Sequence, residues 1–264
     1  MAELVYPPVV ASMRVAFKLW GLRFDIVGAD NIPSEGGAVL ASNHVSYLDF
    51  IFCGFAADPS HRLVRFMAKD TVFKNRVSGP LMRGLKHIPV DRSAGADAFD
   101  SALDALKAGE VVGVFPEATI SRSFEIKECK SGAARLAQGA PVPLIPMVTW
   151  GGQRMFSKGT PRSLRRGTCI AMTIGEPMYP DPDADVATVT KNLRARLQEL
   201  LEETLDRYPD KPRNDDDRWW MPVRFGGTAP TPAEAKAEDD AAHERRRARA
   251  QEKKAQATKG GERS

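Results

Sequence analysis

The chain has 264 residues, 42% of them hydrophobic, enough for one core of ordinary size plus a poorly ordered appendage. A net charge of +4 and a pI near 9.0 favour an anionic membrane surface or a phosphate-bearing ligand. No clustered basic and aromatic pattern, zinc-ligand spacing or RNA-binding signature is present, so neither nucleic acid nor a metal is expected, and Cys53, Cys129 and Cys169 read as reduced core thiols of a cytosolic protein.

In chain order, Val9 to Leu22 comes first, with Val10, Met13, Phe17 and Trp20 near one helical face and Ser12, Arg14 and Lys18 turned outward. Such an amphipathic helix can lie in a membrane interface or pack as the first core helix; Arg14 and Lys18 break it well short of a span. Leu22 to Val27 reads as a strand, Pro33 to Gly37 as a turn, Ala38 to Ser42 as a buried strand and Asp49 to Ala57 as a helix. A short strand at Arg65 to Ala68, a helical region at Val72 to Leu85 and a strand at His87 to Val90 follow. Then come a helix at Ala94 to Ala108 stopped by Gly109, a strand at Val111 to Phe115, a loop and a helix at Gly132 to Gln138. Strands at Pro143 to Thr149 and Thr168 to Ile174 complete the sheet, and leucines at threes and fours make Asp185 to Tyr208 a long helix against it.

The alternation predicts an α/β fold: a mixed, mostly parallel sheet flanked by helices, with an N-terminal amphipathic helix and a disordered or helical C-terminal tail. Three units are expected, a membrane-associating helix over 1–22, a catalytic domain over 23–226 and a charged low-complexity tail over 227–264. Trp219 and Trp220 can dock on the body or sit at a headgroup boundary. Beyond Thr228 the chain holds almost no large apolar residue, so the tail reads as solvated and partly helical, with Glu244 to Lys254 able to touch anionic lipid.

The chemistry concentrates in four short blocks. His44 and Asp49 lie five apart after the apolar run ending at Ser42. An imidazole can take a proton from an alcohol while a carboxylate fixes its tautomer and offsets the imidazolium charge. On spacing alone a helix-capping Asp near an ordinary His competes with this reading. Lys86 to Arg92 is a short strand that ends on a cation. Val111 to Ser121 is a strand broken by Pro116 into a loop presenting Glu117, Thr119 and Ser121, and Pro141 to Val148 is an apolar run bracketed by prolines.

In order and spacing these blocks resemble the glycerolipid acyltransferase family, the PlsC-type enzymes that acylate lysophosphatidate, over about Gly28 to Pro177. Asn43, His44 and Asp49 match its first block fully, and Val142, Pro143 and Pro146 its fourth. The third is usually Phe-Pro-Glu-Gly-Thr-Arg-Ser; Phe115, Pro116, Glu117, Thr119 and Ser121 agree, while Ala118 and Ile120 depart. The first departure costs easy access to positive φ, the second a bidentate phosphate fork. Arg122 or Lys130 could restore the charge.

The resemblance implies His44 as general base and Asp49 as its partner, with Asn43, Arg92, Glu117, Thr119, Arg122 and Lys130 at the substrate and Arg92 on the acceptor's phosphate. Glu117 is expected to orient the acceptor or a loop, and backbone N–H groups around Gly113 to Thr119 to meet the oxyanion. The implied reaction moves an acyl group from acyl-CoA or an acyl carrier protein thioester, with no bound cofactor, to the sn-2 hydroxyl of lysophosphatidate. The enzyme would be monotopic, on the cytoplasmic face of the cell membrane. Acylation of glycerol 3-phosphate or another lysolipid, and a non-catalytic lysolipid-binding peripheral protein, stand as alternatives. A serine hydrolase using Ser46 or Ser121 is disfavoured because the chain has no Gly-x-Ser-x-Gly elbow.

Overall fold

A computed structural model describes residues 5–76, 78–90, 95–160, 162–163 and 165–261. Helix α1 (Tyr6–Trp20) carries Pro7 and Pro8 in its first turn and ends at Gly21, whose φ of +73° allows the chain to reverse into strand β1 (Arg23–Val27). There follow β2 (Ala38–Ser42), α2 (Asp49–Ala57), β3 (Val64–Lys69), α3 (Asp70–Lys74), α4 (Ser78–Gly84), β4 (Ile88–Val90), α5 (Gly95–Lys107), β5 (Val111–Val114), α6 (Gly132–Gly139), β6 (Leu144–Trp150), β7 (Cys169–Ile174), α7 (Val186–Arg207) and α8 (Pro232–Gly261). The helical region expected at 72–85 is two helices: Ser78 N–H donates to Asn75 Oδ1 at 3.2 Å between them.

Among the described residues the strands form one seven-stranded sheet in the order β1-β7-β6-β2-β5-β3-β4. β6 and β7 pair antiparallel and every other neighbour is parallel, which is the mixed, mostly parallel sheet expected from the alternation. Side chains alternate along each strand, so Val39 and Ala41 enter the core under α5, α6 and α7, while Ala38 and Leu40 enter the core under α1 and α2. Both faces are covered, which is why β2 and β6 are buried throughout and mostly apolar.

Two uncertain segments resolve. Phe17 of α1 is buried among Phe24, Phe52 and Phe55, with ring centroids 5.6, 6.0 and 5.3 Å away, yet Val15 and Leu19 remain 59% and 69% exposed. One face of α1 is therefore core and another carries bare apolar surface. Trp220 is buried against Tyr208 and lies beneath the Arg154 guanidinium at 4.4 Å, so it docks on the body and not at a headgroup boundary. The tail is helical. Thr231 and Glu234 exchange reciprocal bonds, Thr231 N–H to Glu234 Oε2 at 2.9 Å and Glu234 N–H to Thr231 Oγ1 at 3.3 Å, a capping box that starts α8. Ala229, Ala235 and Asp239 are buried, so the first turns of α8 pack on the body of the protein instead of standing in solvent.

Candidate active site

The site forms at the carboxyl ends of β6, β2 and β5, three neighbouring strands, where open parallel sheets offer their ligand crevice. β2 delivers Asn43 and His44, β5 delivers Phe115 to Glu117, and β6 brings Thr149. His44 Nδ1 lies 3.0 Å from Asp49 Oδ2. That oxygen also accepts the N–H groups of Val45 and Ser46, each at 2.7 Å, and Oδ1 accepts the Thr149 hydroxyl at 3.0 Å. With its oxygens filled by donors, Asp49 acts as acceptor toward the ring too. The ring proton therefore sits on Nδ1, and Nε2 keeps a free lone pair.

The ring's plane is set from beneath by packing. His44 stacks on Phe115 at 4.2 Å and 16°, and Phe115 stacks on Phe66 at 5.5 Å and 19°. Phe66 lies where a side chain on Gly113 would be: a Cβ there would come within 2.5 Å of its ring. The glycine in Val-Val-Gly-Val thus makes room for the aromatic stack that supports the base.

Asn43, expected at the substrate, is instead fully buried and spent on the scaffold. Its Nδ2 donates to the Thr149 carbonyl at 3.1 Å and its Oδ1 accepts the Thr149 N–H at 2.7 Å, locking the ends of β2 and β6 together. Glu117 is also buried; Oε1 accepts the His44 N–H at 3.0 Å and Oε2 the Lys127 N–H at 3.1 Å. It ties the His44 segment to the loop at Lys127. Burial pushes its carboxyl up to about 8, against the pull of the Lys127 and His44 amides.

Two of the N–H groups expected at an oxyanion are committed to their own turn, Ala118 to the Phe115 carbonyl at 3.0 Å and Thr119 to the Glu117 carbonyl at 2.8 Å. Ala118 nevertheless holds φ at +60°, so the backbone turn that suits glycine is retained with an alanine in it. Ile120 is buried. The serines offer no nucleophile to the base: Ser46 Oγ donates to the Phe156 carbonyl and Ser121 Oγ to the Glu125 carbonyl, each at 2.7 Å.

Of the expected cations, Arg92 lies outside the described residues. Lys130 is exposed and joins the loop through its N–H, which donates to the Pro116 carbonyl at 2.8 Å. Arg122 is half-buried and pairs with Glu238 of α8 at 2.8 Å. Lys127 and Lys158, not singled out from sequence, join it: Lys127 Nζ donates to Thr119 Oγ1 at 2.8 Å and to Asp239 Oδ2 at 2.9 Å, and Lys158 Nζ to Asp239 Oδ1 at 2.6 Å. Burial pushes the Asp239 carboxyl up, but the bonds from Lys158 and Lys127 outweigh it and hold the group below the ordinary aspartate range. The only local signal for this cluster was an acidic trio, Glu238 to Asp240, in a tail otherwise rich in base.

A His–Asp pair at the strand ends of an open α/β sheet, without a free serine hydroxyl beside it, has the geometry to accept a proton from a substrate hydroxyl. The comparisons agree on the class. The family model described as Acyltransferase matches residues 23–150. The 1-acyl-sn-glycerol-3-phosphate acyltransferase of Bacillus subtilis is 30% identical over 209 residues, covering 75% of this chain and 94% of that protein. The enzyme of the same name from Streptococcus pneumoniae is 30% identical over 217 residues, covering 78% of this chain and 77% of its own. The crystal structure of the lysophosphatidate acyltransferase PlsC from Thermotoga maritima shares the fold, with a TM-score of 0.63 and 24% identity over 75% of this chain and 78% of that one. The chain belongs to the PlsC-type glycerolipid acyltransferase family.

Proposed function

We propose that the protein transfers a fatty acyl group from an acyl-CoA or acyl carrier protein thioester to the sn-2 hydroxyl of lysophosphatidate, giving phosphatidate. The observation that carries this reading is the His44–Asp49 pair, whose carboxylate is fixed by two backbone amides and a hydroxyl while Nε2 keeps its lone pair. As the acceptor oxygen attacks the thioester carbon, its proton passes to His44 Nε2. Asp49 offsets the imidazolium charge, and the tetrahedral adduct collapses as the thiolate leaves and takes that proton back. No covalent enzyme intermediate is required.

Arg92, outside the described residues, is assigned to the acceptor's phosphate by the family likeness. Tyr47 and Phe50, 45% and 40% exposed on either side of Asp49, offer apolar surface for acyl chains. Among the described residues no helix is long and apolar enough to cross a membrane. Val15 and Leu19 of α1 support a monotopic enzyme resting on the anionic cytoplasmic face of the cell membrane. Radiolabelled acyl thioester incubated with lysophosphatidate, glycerol 3-phosphate or other lysolipids tests the reading. Phosphatidate formation that His44→Ala abolishes is expected; no phosphatidate above that control refutes it and leaves a lysolipid-binding protein.

A further inference from the structure

Arg122, Lys127 and Lys158 come from two separate loops and converge on one carboxylate of the C-terminal helix. Each lies in or next to a segment bonded to the catalytic backbone. Ser121 N–H donates to the His44 carbonyl at 2.7 Å, placing Arg122 one residue away. Glu117 bridges the N–H groups of His44 and Lys127. Ser157 Oγ donates to the Val45 carbonyl at 2.5 Å, placing Lys158 one residue away. The segments that carry the cations are thus tied to the His44 segment by its own supporting bonds.

Asp239 fills this cluster only in part. Its oxygens take Lys127 and Lys158, but Arg122 Nε stays 3.5 Å from Oδ1 and, among the described residues, is a buried donor with no hydrogen-bond partner. Among the described residues the ion pairs of these three cations go to two acids, Glu238 and Asp239. A phosphate group brings three terminal oxygens and up to about two charges, one oxygen and one charge more than the carboxylate. Gly159 makes room for the Arg122 guanidinium, since a Cβ there would sit 2.4 Å from Arg122 Nη1. Both carboxylates come from α8, and with them in place the buried Arg122 Nε donor is left over for a further anion oxygen.

We propose that Arg122, Lys127 and Lys158 form a phosphate seat beside the catalytic base and that Asp239 of α8 occupies it in the resting chain, so that a phosphate-bearing substrate binds by displacing the C-terminal helix. The identity of that substrate rests on the acyltransferase reading; the seat itself does not. It compensates within this chain for Ile120, the residue standing where the family pattern carries a phosphate-binding arginine. The phosphate can belong to the acceptor or to the coenzyme A donor.

The full chain and its Asp239→Asn variant test this. Removing the competitor should lower the KM of one substrate by about tenfold or more, as expected for a seat open about one part in ten. A fall for lysophosphatidate gives the seat to the acceptor, and a fall confined to acyl-CoA gives it to the donor; either supports the seat. Calorimetry with inorganic phosphate on a His44→Ala background should show tighter binding after Asp239→Asn and loss of binding after Lys127→Ala with Lys158→Ala. Hydrogen exchange of the parent chain should speed up over residues 232–242 when inorganic phosphate saturates. An unchanged KM for both substrates together with unchanged phosphate affinity overturns the proposal, as does exchange in α8 that ignores phosphate. If Asp239→Asn unfolds, the exchange measurement on the parent decides. If the parent makes no phosphatidate, the functional reading fails while calorimetry and exchange still judge the seat.

Discussion

Asp49 and Asp239 are both buried aspartates that gather donors, at 0% and 9% exposure, yet they are held by opposite means. Asp49 takes two backbone amides and a hydroxyl from neighbouring strand ends, groups that cannot move without moving the sheet. Asp239 takes the flexible tips of two lysines and faces an arginine, and it arrives on a helix whose charge could be matched by any anion. The first arrangement suits a group that must never change partners. The second suits one that can be exchanged.

The largest effect that would break this contrast is at the rigid aspartate. Asp49→Asn turns an amide NH2 toward donors, and the expected cost is ~3 kcal/mol of stability with an activity loss of about 10²–10⁴-fold. Thermal unfolding and initial rates measure the two, and a stable, active variant would remove Asp49 from its role. His44→Ala should lose a comparable factor of about 10²–10⁴ in kcat with little change in melting temperature, because the ring is held by one hydrogen bond and a stacking contact.

A third buried acid sharpens the comparison through pH. Folded Glu117 holds its proton to about pH 8, whereas the unfolded chain releases it near 4.5. The folded state binds more protons across that window, so stability should fall as pH rises from about 4.5 to about 8 and level off above it. Glu117→Gln should flatten that slope in denaturation curves taken across the range; an unchanged slope assigns it to another group. The smallest effect concerns backbone alone. Ala118→Gly should raise stability by about 1 kcal/mol by relieving the left-handed φ, with activity retained or improved. A loss of stability there would show that the loop does not resent its alanine.

Strand and helix periodicity made the sheet legible, and the His44–Asp49 pairing was legible because a short block at fixed spacing carries it. What sequence could not supply was partnership across long separations. Thr149 is 100 residues from Asp49, and Asp239 is 112 from Lys127. The clamp at Asn43 is hidden for a related reason: its amide is bonded to Thr149, 106 residues away. The tail read as solvated because composition measures apolar content, and the contact that docks α8 is electrostatic. Its capping signal, Thr231 followed three residues later by Glu234, was nonetheless present.

The stack from Gly113 through Phe66 and Phe115 to His44 carries an implication for mutational scans. Adding one methyl at position 113, two rings removed from any reacting atom, should tilt the imidazole and read out as a loss of turnover with binding intact. A survey of function would then score an interior glycine as indispensable, although it donates nothing to the chemistry except empty space.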